Sequence, residues 1–170
     1  MLTGSLAGSY HGAPRSTQDI DLVVEASVAA LLEVATKLRT HGLYVSDDAI
    51  REAHAARGMF NAIDPDSGWK VDFIVRKDRP FSRAEFESRR EIEFLGLELS
   101  IASAEDLIVA KLEWARLGNS ERQLRDVVEI IAVQGAGLDV RRIEEWTTKL
   151  DLETEWALAC ELADSSAEST

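Results

Sequence analysis

Two aspartates one residue apart, Asp19 and Asp21, stand in a run, Ile20-Asp21-Leu22-Val23-Val24, whose β-branched and apolar residues read as a strand. A strand sends alternate side chains to opposite faces, so both carboxylates leave the same one. Like charges held side by side repel, and hard oxygen donors on a rigid strand suit Mg²⁺. Thirteen residues separate Asp19 from Gly4-Ser5, which follows the short run Leu2-Thr3 and leads into Leu6-Ala7-Gly8-Ser9-Tyr10, a first helical turn. The free N–H groups of a helix start, with glycine permitting close approach and serine adding a hydroxyl, make a cradle for phosphate. Taken singly, the acidic pair reads as a solvated cap and Gly4-Ser5 as a turn. Together they supply the two parts that phosphoryl chemistry needs.

A third carboxylate, Asp72, lies in Trp69-Lys70-Val71-Asp72-Phe73-Ile74-Val75. This run and Met59-Phe60-Asn61-Ala62-Ile63 flank Asp64-Pro65-Asp66-Ser67-Gly68, the pattern of a β-hairpin. Val71, Phe73 and Val75 share one face of the second strand, and Lys70, Asp72 and Ile74 share the other. By itself Asp72 reads equally well as a surface residue.

The run GSLAGSYHGAPRSTQDIDLVV resembles the signature of the nucleotidyltransferase superfamily, a Gly-Ser followed after roughly ten to fifteen residues by D-h-D. Within that superfamily it is most similar to the small prokaryotic proteins grouped with AbiEii-type toxins, since Gly12, Arg15, Thr17, Asp19 and Asp21 all fall where that pattern expects them. The likeness runs from residue 1 to about residue 133. That group carries a helix ahead of the Gly-Ser strand, whereas this sequence opens within the strand.

The resemblance implies an α/β (α+β) fold, a mixed, twisted sheet with a helical C-terminal part. It implies that Asp72, in its h-D-h context, joins Asp19 and Asp21 in holding two Mg²⁺ ions. Gly4, Ser5, Arg15 and Thr17 would bind the nucleoside triphosphate. A second block, EDLIVAKLEWARLGNSERQLRDVVEI, is similar to one in which a helix lysine and a later Arg-Asp pair face the nucleotide, here Lys111, Arg125 and Asp126. A lysine there stabilises charge moving onto the leaving group, and an arginine adds a bidentate phosphate contact. The implied reaction moves a nucleoside monophosphate to an acceptor hydroxyl on tRNA or protein, with the chain acting as a toxin held by an antitoxin partner. Two other readings stay open: nucleotidylation of a small molecule such as an aminoglycoside, and a binding or regulatory module that keeps the fold without turnover.

Composition narrows the setting. The 170 residues carry a net charge of −12, which opposes broad, non-specific nucleic-acid binding because phosphate neutralisation drives such binding. Residues 102–170 hold 7 Lys+Arg against 15 Asp+Glu, net −8, while residues 1–101 hold a net −4 and include a basic run from Arg76 to Arg90. A single cysteine, Cys160, rules out an internal disulfide. No apolar run is long enough to span a membrane and no signal peptide is visible, so a cytoplasmic location is expected.

Residues 1–101 are expected to form the catalytic core and residues 102–170 a helical part packed on it. Ser27 caps a helix to about Thr40 with Val28, Leu31, Leu32, Ala35 and Leu38 on one face. A second hairpin follows around Gly96. Ser103, with Glu105-Asp106 in the first turn, starts a helix to Gly118, and a further helix from Ser120 carries Leu124, Val127, Val128, Ile130 and Ile131 as its buried stripe.

Overall fold

The computed structural model describes residues 1–94 and 96–167. Residues 168–170, the end of the expected helical part, lie outside them. The architecture is the expected mixed α/β one, and the chain divides into two compact units. The first comprises residues 1–6 and 16–101, and the second residues 7–15 and 102–170.

The first unit is built on one seven-stranded sheet. Its strands are β1 (Leu2–Thr3), β2 (Asp19–Val24), β3 (Tyr44–Val45), β4 (Met59–Ile63), β5 (Lys70–Val75), β6 (Arg90–Phe94) and β7 (Leu97–Ile101), in the spatial order β3-β4-β5-β2-β1-β7-β6. The pairs β2–β5 and β1–β7 are parallel and the others antiparallel. Parallel neighbours need a long crossover. Between β2 and β5 that crossover contains two helices, which we number after α1 (Gly4–His11): α2 (Val28–Thr40) and α3 (Asp47–Ala56). Each starts at a serine whose Oγ accepts a backbone N–H of the first turn, Ser27 from Ala30 and Ser46 from Ala49, both at 3.3 Å.

These two helices cover one face of the sheet. Leu31 and Ala35 of α2 and Ile50 and Ala53 of α3 pack with Val45, Phe60, Ala62, Phe73 and Val75. Phe60 and Phe73 are register partners, and their rings stack with centroids 4.9 Å apart. The β4–β5 register is set at the turn, where Asp64 Oδ1 accepts the Asp66 N–H at 3.0 Å and Ser67 donates to the other carboxylate oxygen. Because Phe73 faces this core, strand alternation sends Lys70 and Asp72 to the opposite face. The helix α4 (Pro80–Glu87) connects β5 to the β6–β7 hairpin.

The second unit is helical. It contains α5 (Ala104–Gly118), α6 (Glu121–Gln134), a 3₁₀ turn at Gly135–Gly137, α7 (Val140–Lys149) and α8 (Glu153–Ala167). Leu107, Ile108 and Leu112 of α5, Val127 and Ile130 of α6, Ile143 of α7 and Ala159 of α8 are buried. Asp106 in the first turn of α5 is fully buried and receives Arg142 Nε and Nη2, each at 2.9 Å, a bidentate pair that ties α5 to α7. Residues 7–15 belong here because His11 Nε2–H donates to the Ala102 carbonyl at 2.8 Å and Gln134 donates to the His11 carbonyl at 2.9 Å. Gly12, at φ +120°, lies against Val133, where any Cβ would overlap that side chain. Cys160 on α8 is half-buried, and burial pushes its thiol pKa up. No described helix is long and apolar enough to cross a membrane.

Candidate functional site

The first unit gathers Gly4, Ser5, Thr17, Asp19, Asp21 and Asp72. In the parallel β2–β5 pair Asp21 lies directly opposite Asp72, and Asp19 opposite Lys70. Register partners on adjacent strands share a face, so the three carboxylates and the lysine all stand on the side away from the α2–α3 core. Asp19 is exposed, Asp21 half-buried and Asp72 buried at 6% exposure. Thr17 Oγ1 accepts the Asp19 N–H at 3.0 Å and fixes the entry to β2.

Gly4 is the first residue of α1 and the residue after β1, whose Thr3 pairs with Asp21. Its φ is +64°, and a Cβ there would overlap the Asp21 carboxylate, so glycine is required on both counts. The Ser5 N–H donates to Asp21. A carboxylate thus stands at the amino end of α1, where the helix dipole favours negative charge.

The electrostatics record crowding. Burial pushes the Asp21 carboxyl above its ordinary pKa and Asp72 pushes it further, against the Ser5 hydrogen bond; Asp19 adds a smaller push and Lys70 a small opposing pull. Lys70 Nζ lies 2.9 Å from Asp72 Oδ2 and 3.5 Å from Asp19 Oδ1, and its own pKa is raised, chiefly by the hydrogen bond to Asp72. The other oxygen of Asp72, Oδ1, is buried with no hydrogen-bond partner. Among the described residues no three acidic, imidazole or thiol side chains are drawn into a ready metal cage. The ammonium of Lys70 supplies compensating charge to Asp72 and Asp19.

The second unit holds Arg15, Lys111 and Arg125. Lys111 is 3% exposed, and its ammonium donates to Asp126 Oδ2 at 2.6 Å and Gln123 Oε1 at 3.2 Å, joining α5 to α6. Arg15 Nε lies 3.7 Å from the same Asp126 oxygen, whereas Arg125 is exposed to solvent. Asp126 is therefore the buried hub of this cluster. Its signal in the sequence is its place four residues before Ile130, on the buried stripe of α6. The residue that motif reasoning passed over is Lys70, marked only by sharing the Asp72 face.

The chain matches no protein-family model and no curated protein sequence. Its likeness to solved structures is one of fold. It is similar to the antibiotic-resistance factor ANT(2'')-Ia in solution, with a TM-score of 0.58 at 14% identity over 96% of this chain and 86% of that one. It is similar also to the crystal structure of ANT(2'')-Ia in complex with adenylyl-2''-tobramycin, with a TM-score of 0.57 at 16% identity over 88% of this chain and 87% of that one. An antigenic nucleotidyltransferase-like protein from Paracoccidioides brasiliensis aligns with a TM-score of 0.52 at 15% identity over 91% of this chain and 82% of that one. The chain has the fold of these nucleotidyltransferases.

Two predictions follow from the charges. The folded protein binds a proton at Asp21 more tightly than the unfolded chain does, so this residue's contribution to stability falls as pH rises from the ordinary carboxylate range through the raised pKa. Asp21→Asn keeps an acceptor for the Ser5 N–H and removes the charge. In metal-free thermal melts it should melt no lower than wild type at neutral pH, with its advantage shrinking toward about pH 4. A lower melting temperature throughout would make Asp21 structural. Lys111→Met should instead cost about 3 kcal/mol in denaturant unfolding, because it strips a buried carboxylate of its closest cation. The double variant Lys111→Met/Asp126→Asn should recover most of that loss.

Proposed function

We propose that the chain is a metal-dependent nucleotidyltransferase that moves a nucleoside monophosphate from a nucleoside triphosphate to a hydroxyl of a small cationic acceptor, of the aminoglycoside kind. The observation that carries the reading is the register match of Asp21 with Asp72 beside the Gly4–Ser5 helix start, within a nucleotidyltransferase fold. The donors suit a hard divalent cation: the Asp72 Oδ1 atom is buried and unbonded, and Asp21 carries the repulsion of its two neighbours. Asp19, Asp21 and Asp72 would hold Mg²⁺, two ions in this reading. Bound there, Mg²⁺ would neutralise phosphate charge and make the acceptor hydroxyl more acidic.

The rest is done by the chain's own residues. The amino end of α1, which Gly4 and Ser5 open, holds terminal phosphate oxygens, as the positive end of a helix dipole favours. Asp72 takes the proton of the acceptor hydroxyl. The acceptor oxygen bonds to the α-phosphorus, the bond to the β-phosphate oxygen breaks, and pyrophosphate leaves. Roles for Arg15, Thr17, Lys111 and Arg125 toward the nucleotide rest on the sequence resemblance, as do the AbiEii-type grouping and a tRNA, protein or antitoxin partner.

Charge favours the small cationic acceptor. A chain of net −12, with −8 on residues 102–170, repels an RNA acceptor and attracts a polyamine sugar. The solved structure of ANT(2'')-Ia with adenylyl-2''-tobramycin shows that the fold accommodates such a product in another protein.

The test is incubation with α-labelled nucleoside triphosphates, Mg²⁺, and either a panel of aminoglycosides or tRNA and protein. Label should pass to the small molecule, and Asp72→Asn should slow transfer by about 100-fold or more, the usual worth of a general base. Label on RNA or protein alone would overturn the acceptor assignment. No transfer by the wild type to any acceptor would overturn the activity.

A further inference from the structure

Lys70 is the first residue of β5, and its position is set from both sides. Its N–H donates to the Gln18 carbonyl at 2.9 Å, its register partner in β2 is Asp19, and its partner in β4 is Ile63. The backbone is thus fixed between two strands. Standing two residues before Asp72, its side chain must leave the same face, and its ammonium reaches Asp72 Oδ2 at 2.9 Å and Asp19 Oδ1 at 3.5 Å. The sheet therefore delivers a permanent positive charge to two of the three carboxylates proposed to hold metal.

An ammonium and a divalent cation cannot occupy the same carboxylate oxygens, since each would repel the other at contact range. The Lys70 side chain is 31% exposed, so a long flexible stem has a path to water without disturbing the strand. Its compensation is also incomplete, because Asp72 Oδ1 is left without a partner. A cation that satisfied both oxygens of Asp72 would displace it.

We propose that Lys70 is a built-in counter-ion that competes with the divalent cation for Asp19 and Asp72, holding the carboxylates together in the metal-free protein and raising the metal concentration the site requires. The proposal rests on the metal-site reading above and assigns that site a threshold residue. Lys70 acts through the carboxylates and is a positioning residue, so its signature lies in metal binding and not in turnover alone.

The experiment is calorimetric titration of the full chain with Mn²⁺ in the absence of nucleotide, using wild type, Lys70→Met, Lys70→Gln and Lys70→Arg, with metal-free thermal melts of each. The two neutral variants should bind Mn²⁺ at least tenfold more tightly than wild type and should melt lower without metal, with a larger rise on adding it. Lys70→Gln keeps a polar group beside Asp72 should Lys70→Met fold poorly. Lys70→Arg, which retains the charge, should stay within about threefold of wild type, well below the tenfold step that 1.4 kcal/mol represents. If wild type binds Mn²⁺ and the neutral variants bind it equally or more weakly, the counter-ion role is wrong while the metal site stands. An Arg variant that behaves like the neutral ones would likewise rule out a charge mechanism. If no form binds Mn²⁺, the metal-site reading itself fails and takes this proposal with it.

Discussion

The structure depends on a repulsion that the sheet imposes on itself. Parallel pairing of β2 with β5 sets Asp21 directly beside Asp72, and strand alternation sets Asp19 on the same face. Little relieves that crowding. What does so is local: the Ser5 N–H at the start of α1 and the ammonium of Lys70. Keeping carboxylates in this arrangement costs stability, which is the crowding that the proposed metal site would relieve.

The same pairing carries the core. Phe73 stacks on Phe60 beneath α2 and α3, while Asp72, one residue earlier, faces the other way. A slip of one residue would turn Asp72 into the α2–α3 core and Phe73 out of it, so the hydrophobic register that stabilises the first unit also aims its carboxylates. Gly4 performs the corresponding task at the other side of Asp21. Its positive φ turns β1 into α1, and its missing side chain leaves room for the carboxylate.

Local chemistry was legible in the sequence and tertiary pairing was not. The D-x-D strand, the Gly4-Ser5 turn, the Asp64–Gly68 hairpin and the Ser27 and Ser103 caps each depend on residues close in the chain, and each takes the expected form. Lys70 carried no signal of its own, because a lysine two residues from an aspartate on a strand is common at surfaces and only the Asp19 register makes it a bridge. Lys111 and Arg125 stood in one motif block, yet α5–α6 packing buries Lys111 against Asp126 and leaves Arg125 in water. The membership of residues 7–15 in the helical unit depends on hydrogen bonds to Ala102 and Gln134, roughly ninety and more residues away, which no local pattern encodes.

The central claim is that a divalent cation binds on the β2–β5 face beside Gly4. Paramagnetic broadening by substoichiometric Mn²⁺, read across the backbone amide signals of the labelled full chain, tests it without requiring a substrate. The account predicts that the signals of Gly4, Ser5, Asp19, Ile20, Asp21 and Val71 to Phe73 fade first, because they surround the three carboxylates. Broadening that instead begins among the acidic residues of α7 and α8, with the β2–β5 signals intact, would contradict it.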